Sequence, residues 1–177
     1  MTGFTRRGAL RASAAAAAAL LLPLPALAGR YPLRVALYNT HTGESVDTEF
    51  WDGADFVPGA CTEIDRVLRD HRTGGVKNID RRLLDVLHLL RKDLGTTAPF
   101  HVISSYRSPA SNAGLRARGR AVAEKSLHME GKAADFRLPG VSLDLLHRAA
   151  VARKAGGVGY YSGPKFVHVD VGRIRYW

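Results

Sequence analysis

Two short segments constrain the fold of this chain more than any other feature. In the first, Ser126-Leu-His128-Met-Glu-Gly131-Lys-Ala133-Ala-Asp135, a glycine separates a histidine from a strand-like run. Gly131 permits a sharp bend because it lacks a Cβ. Ala133 to Leu138 then reads as a short strand that carries Asp135 back toward His128. The second segment, Phe166-Val-His168-Val-Asp170-Val171, alternates and is β-branched. His168 and Asp170, two residues apart, therefore project from one strand face. A fold that satisfies both segments must gather two strands and a bend around one point. His128, Asp135 and His168 would there supply two imidazoles and a carboxylate, the ligand set of a catalytic zinc site with one position open to water. Taken singly, each has an ordinary structural role: a loop histidine, a carboxylate satisfied by backbone amides, a core histidine. Their grouping on the bend and on the most β-like strand points to a metal.

Cys61 is the only cysteine, so no intramolecular disulfide is available and stability must come from the core. Lying near the start of an expected helix, it is either a fourth metal ligand or buried packing.

The N-terminus reads as an export signal. Thr5-Arg6-Arg7-Gly-Ala-Leu10-Arg11 is a twin-arginine motif, an apolar run follows from Ala12 to Leu22, and Ala26-Leu-Ala28 fits a small-residue cleavage site. The alternative is a retained anchor, but the run is shorter than the roughly 20 residues of a span and prolines follow it. Removing these 28 of 177 residues leaves 149, one domain with a real core. The leader holds three arginines and no acid, which takes the net charge of +10 down to +7. Such a balance suits an acidic polymer or surface, and it also simply aids solubility. Nucleic acid is the least suited partner, because no reader motif or aromatic-plus-basic repeat is present.

Along the mature chain, Tyr31–Tyr38 and Glu44–Trp51 read as a hairpin around the turn 39–43, whose His41 is a loop histidine. Thr62 is expected to cap a helix running to about His71, with Ile64, Val67 and Leu68 on one face. Asn78 or Asp80 starts a longer helix with the stripe Leu83, Leu84, Leu87, Leu90 and Leu94, which Gly95 ends. His88 on this helix reads as structural. Phe100–Ser104 is a buried-type strand, Pro109 opens a short helix or turn, and 116–125 is a basic surface connection. Ser142 caps a helix expected to turn Leu145, Leu146 and Ala149 inward. Val158–Tyr161, 166–171 and 173–177 complete the sheet. The pattern is α+β, with a mainly antiparallel sheet and helices packed on one side. The expected organisation is 1–28 signal peptide, 29–59 N-terminal hairpin and loop, and 60–177 the domain that carries His128, Asp135 and His168.

Ser126-x-His128-x-x-Gly131-x-Ala133-x-Asp135 resembles the first zinc motif of the M15-type peptidases, the D-Ala-D-Ala carboxypeptidase and dipeptidase group. Tyr106-Arg107-Ser resembles that family's substrate arginine. Gly157-Val-Gly-Tyr-Tyr161 with Phe166-Val-His-Val-Asp-Val-Gly172 resembles its C-terminal zinc strand. The resemblance covers roughly residues 60–177 and is nearest to the exported YcbK-like branch of cell-wall hydrolases. It implies the zinc D,D-peptidase (hedgehog/DD-peptidase-like) fold, Zn2+ on His128, Asp135 and His168, Arg107 as the substrate grip, and Ser126 supporting the site. Where many relatives have His-x-His, or an acid three residues before the ligand histidine, this chain has Lys165 and His168-x-Asp170. Asp170 is thus the expected general base, with Glu130 as second choice.

The expectation is a monomeric, exported zinc D,D-endopeptidase or carboxypeptidase acting on peptidoglycan in the periplasm or outside the cell. It would have no nucleic-acid partner and no stable membrane anchor after cleavage. The alternative is a non-catalytic zinc-containing domain that binds peptidoglycan or serves the envelope. Gly-x-Ser-x-Gly, His-Glu-x-x-His and phosphate-binding glycine loops are all lacking in the sequence.

Overall fold

Alternation builds the first hairpin. β1 (Leu33–Asn39) turns Val35 and Leu37 into the core, and β2 (Ser45–Trp51) returns antiparallel with Val46 and Phe50 buried. These strands belong to a computed structural model that describes residues 31–177 apart from residue 121. The twin-arginine motif and its cleavage site lie outside the described residues. Among the described residues no helix is long and apolar enough to cross a membrane.

α1 (Pro58–Val67) begins at a proline, whose missing N–H is no loss in the first turn. Thr62 therefore lies inside the helix, where its hydroxyl donates to the Pro58 carbonyl at 3.0 Å, and it is not the cap the sequence suggested. Cys61 is buried in the core with its Sγ near the Phe50 carbonyl, so it takes the packing role. In α2 (Arg81–Asp93), the Asp80 side chain accepts from the Arg82 amide, and Leu83, Leu84, Leu87 and Leu90 are buried. Gly95 follows at φ 60°. His88 has the structural role expected of it, its Nδ1 lying 2.9 Å from the Arg34 carbonyl.

After β3 (Phe100–Ser104), α3 (Pro109–Ala117) is capped by Ser108, whose Oγ accepts from the Ser111 amide. A 3₁₀ helix (Leu127–Glu130) ends at Gly131, and β4 (Ala133–Arg137) follows. α4 (Leu143–Arg153) is capped by Ser142, as its sequence predicts. It buries Leu146 and Ala150, one turn apart, while Leu145 is 45% exposed, about 100° further round the helix than its neighbour. β5 (Gly157–Tyr161), β6 (Phe166–Asp170) and β7 (Arg175–Tyr176) close the chain.

The seven strands form one sheet in the order β2-β1-β3-β4-β6-β5-β7. It is mixed and not mainly antiparallel as expected, because β1–β3 and β5–β7 pair in parallel. The first parallel pair follows from the crossover through α1 and α2, which returns the chain to the sheet in the direction of β1. The hairpin at 33–51 is continuous with this sheet and shares its core. Val35, Leu37, Phe100, Val102, Ala134, Phe136, Val167 and Val169 point to one face, where α1, α2 and α4 complete the core. The strand period of two then dictates that Asp135 and His168 face the other way.

Candidate metal centre and active site

The register of the sheet assembles the site. Asp135 on β4 is directly opposite His168 on β6, and Gly159 on β5 continues the row. His128 arrives from the 3₁₀ helix, which reverses at Gly131 with φ 70°. A Cβ at Gly131 would sit 2.7 Å from the Asn78 carbonyl oxygen, so only glycine allows this bend. His128, Asp135 and His168 are all buried, and one ligand atom of each lies within 4.8 Å of the others. This is the cluster of metal-competent side chains found among the described residues, and neither Cys61 nor Glu130 belongs to it.

The hydrogen bonds decide which atoms face the centre. His128 Nδ1 lies 2.7 Å from the Ser105 carbonyl, which only accepts, so Nδ1 carries the proton and Nε2 presents a lone pair. His168 Nε2 lies 3.0 Å from Asp170 Oδ2 and donates to it, which leaves Nδ1 to face inward. That Nδ1 is 2.8 Å from Asp135 Oδ1 and 3.3 Å from His128 Nε2, and His128 Nε2 is 3.4 Å from Asp135 Oδ1. Three acceptor atoms thus converge on one buried point, an arrangement stable only around a proton or a cation. Burial opposes ionisation of Asp135, yet the two imidazoles hold its carboxyl well below the usual carboxylate range. Burial likewise opposes charge on His168, but its bonds to Asp135 and Asp170 raise its pKa overall. Both shifts describe a pocket that favours positive charge. Two imidazole nitrogens and a carboxylate oxygen, with both imidazoles oriented from behind by an acceptor, fit zinc.

Asp170, expected as the base, is fully buried and does not line the cavity. Its Oδ1 accepts from the Gly157 and Gly172 amides at 3.1 and 2.9 Å and from Arg175 at 3.1 Å. Its Oδ2 accepts from His168 and, at 2.6 Å, from Arg175. Burial raises its pKa and these bonds more than reverse that, so the carboxylate stays ionised and fully engaged. Such an oxygen pair has no lone pair turned to a substrate water. Glu130, the second choice, pairs with Lys132 at 2.7 Å and lines a separate surface depression with Asp80 and Arg82.

Arg107 does reach the site. It lines a cavity of about 250 Å³ with His128, Asp135, His168, Ser126, Lys125, Tyr161, Phe166, Arg175 and Trp177. It is 6% exposed, its nearest approach to Asp135 is 3.9 Å, and Asn112 and Ser104 accept from it at 3.3 and 3.4 Å. Its Nε has no partner among the described residues. Burial pushes its pKa down and Asp135 offsets part of that, leaving a poorly solvated cation aimed at the cavity. The loop that carries it is tied down on both sides. The Tyr106 amide donates to Leu68, the Arg107 amide donates to His128, and buried Asp70 accepts from both the amide and the hydroxyl of Ser108. Ser126 lines the cavity, and its carbonyl accepts from Met129, but among the described residues its hydroxyl makes no bond to His128, Asp135 or His168.

Sequence reasoning did not find Ser105, Asn112, Arg175, Tyr161 or Trp177. Ser105 acts through its backbone carbonyl, which no residue type announces. Arg175 and Trp177 left one trace, the pair of glycines at 157 and 159. A Cβ at Gly157 would meet the Arg175 guanidinium at 2.6 Å, and one at Gly159 would meet the Trp177 indole at 2.6 Å.

Comparison with known proteins identifies the family. The family described as peptidoglycan L,D-endopeptidase MepK matches residues 28–177. Peptidoglycan L,D-endopeptidase MepK of Escherichia coli K12 is 42% identical over 175 residues, covering 97% of this chain and 96% of its own length. The protein of that name from Shigella flexneri shows the same identity and coverage. A relative from Haemophilus influenzae is 38% identical over 147 residues, 82% of this chain and 79% of its own. With a family match that spans the whole described length and relatives 42% identical over nearly all of the chain, it belongs to the MepK family of M15-type peptidases.

Proposed function

We propose that this protein is an exported zinc endopeptidase that hydrolyses an L,D bond in the peptides of peptidoglycan. The observation that carries the reading is the convergence of three lone pairs, from His128, Asp135 and His168, in a cavity walled by the buried Arg107. When bound, zinc supplies Lewis acidity to the scissile carbonyl and the attacking water. The chain's own residues do the rest. Ser105 and Asp170 hold the two imidazoles in their tautomers. Arg107 binds a substrate carboxylate or the oxygen that gains charge, and its poor solvation strengthens that contact. Peptidoglycan peptides contain D-centres and free carboxylates, which suits a basic protein with such an arginine. The M15 resemblance alone implied a D,D-endopeptidase or carboxypeptidase. The relatives' names favour L,D-endopeptidase, and that assignment replaces it here. Periplasmic or extracellular location by the twin-arginine route, and action as a monomer, complete the proposal.

Asp170 is assigned as the residue that positions His168, in place of the base expected from the sequence. A second reading, a zinc domain that holds peptidoglycan without cutting it, is favoured by one observation. Asp135 is the sole carboxylate among the described residues lining the cavity. Zinc stoichiometry together with the soluble products released from purified peptidoglycan separates the two. Asp135→Ala is expected to lose both metal and products. A wild type that holds one zinc per chain, sediments with peptidoglycan and releases nothing would establish the binding domain instead.

A further inference from the structure

Tyr161 is a polar group in the cavity with no task in the site described so far. Tyr161 lies two residues beyond Gly159, which pairs with His168, so the phenol and the ligand imidazole share a sheet face on neighbouring strands. Tyr161 lines the same cavity as Arg107 and the three ligand residues. Its hydroxyl oxygen accepts from Trp177 Nε1 at 2.8 Å. An indole nitrogen only donates, so this bond leaves the phenol's own proton unengaged. Among the described residues that proton has no acceptor.

The arrangement is held from several sides. The Trp177 amide donates to Val158, and its carbonyl accepts from Tyr160. Its ring lies over Gly159, with the Arg175 guanidinium 5.0 Å from its centroid. Phe166 stacks on the Tyr161 ring at 4.6 Å and 21°. Arg175 also forms the bidentate pair with Asp170. One guanidinium therefore braces both the carboxylate that orients His168 and the indole that orients Tyr161.

We propose that Tyr161 is a further catalytic residue, donating its O–H to the substrate carbonyl oxygen as that oxygen gains negative charge. Trp177 is the positioning residue: its N–H fixes the phenol's rotation and polarises the O–H, since a hydroxyl that accepts a hydrogen bond becomes a better donor. Arg107 and Tyr161 then face the developing charge together, in a cavity where Asp135 is the one lining carboxylate among the described residues. No proton changes hands in this role. The inference rests on the peptidase reading above and adds a residue to it.

The test compares wild type, Tyr161→Phe and Trp177→Phe, all zinc-loaded, on cross-linked peptidoglycan, with kcat and KM, zinc affinity and thermal midpoint measured for each. Tyr161→Phe should lower kcat about 100-fold, as loss of one oxyanion donor does elsewhere. Its KM, zinc affinity and midpoint should match wild type. Trp177→Phe keeps a ring but lacks the N–H, and should lower kcat several-fold in the same pattern. Wild-type kcat in Tyr161→Phe would overturn the proposal, as would a loss of activity that merely follows a loss of zinc affinity. An inactive wild type would overturn the peptidase reading itself, a result distinct from an active wild type with an equally active Tyr161→Phe.

Discussion

Replacing Asp170 by asparagine distinguishes its two possible roles. The carboxylate receives five donors: the Gly157 and Gly172 amides and Arg175 on Oδ1, and His168 Nε2 and Arg175 on Oδ2. Asparagine offers one oxygen and one NH2. If the oxygen stays with the backbone amides, the NH2 meets His168 Nε2. The imidazole must then accept there and move its proton to Nδ1, the atom that faces the ligand cluster. If the amide is reversed, its NH2 opposes two backbone N–H groups in a fully buried position. Either way a ligand is lost or two donors are left facing a donor. Zinc affinity should fall roughly 10- to 100-fold, as it does when other carboxylates behind a metal histidine are removed. That corresponds to about 1.4–2.7 kcal/mol of binding. The metal-free fold should lose about 1–3 kcal/mol from the unsatisfied donors. Competition with a chromophoric chelator gives the affinity, and urea unfolding with chelator present gives the stability. Wild-type zinc affinity with abolished turnover would refute this account and return Asp170 to the role of base.

Other outcomes follow from single features of the structure. Gly131→Ala places a side chain at φ 70° and 2.7 Å from the Asn78 carbonyl oxygen. The left-handed conformation alone costs about 1–2 kcal/mol, and the contact adds to it, so thermal midpoint and zinc affinity should both fall. Stripping zinc should lower the midpoint. At zinc 100-fold above its Kd, binding stabilises by about 2.7 kcal/mol, or roughly 5–10 °C for a domain of this size. A chelator-treated sample that melts with the zinc-loaded one would contradict a bound metal. His71 stacks on His41 at 3.8 Å, and burial, with Arg72 and His41 beside it, pushes its pKa down to about 4. The folded state disfavours the imidazolium while the unfolded chain binds its proton near the ordinary value of about 6.5. Stability contributed by neutral His71 is therefore present above that value and lost as pH falls toward 4. His71→Gln should flatten the midpoint against pH across that window.

Several features set by local rules were legible in the sequence, although Thr62 lies inside α1 and not at its cap. Asp80 and Ser142 cap the helices they were expected to cap, because an N-cap needs only its own next turn. Gly131 bends where expected, and the alternation of 166–170 put His168 on the face opposite the core valines. Features that depend on distant parts of the chain were not. The parallel pairing of β1 with β3 is chosen by a crossover through two helices, which no strand pattern encodes. Asp170 sits two residues from His168 and on the same strand face, which suggests a base. Only the distant Arg175 and the Gly157 amide show that its oxygens are already occupied. Leu145 illustrates the limit at the scale of one residue, since a phase error of one position moves a leucine from the core to the surface.

The central claim is that this site, with zinc, cuts an L,D bond of peptidoglycan. Its most direct test incubates the zinc-loaded protein with two purified cross-linked peptide fragments of peptidoglycan, one joined by an L,D bond and one by a D,D bond. His128→Ala is run alongside, and products are followed by mass spectrometry. The account predicts cleavage of the L,D fragment by the wild type, an intact D,D fragment, and no products from His128→Ala. Cleavage of the D,D fragment alone, no cleavage of either, or undiminished activity in His128→Ala would contradict it.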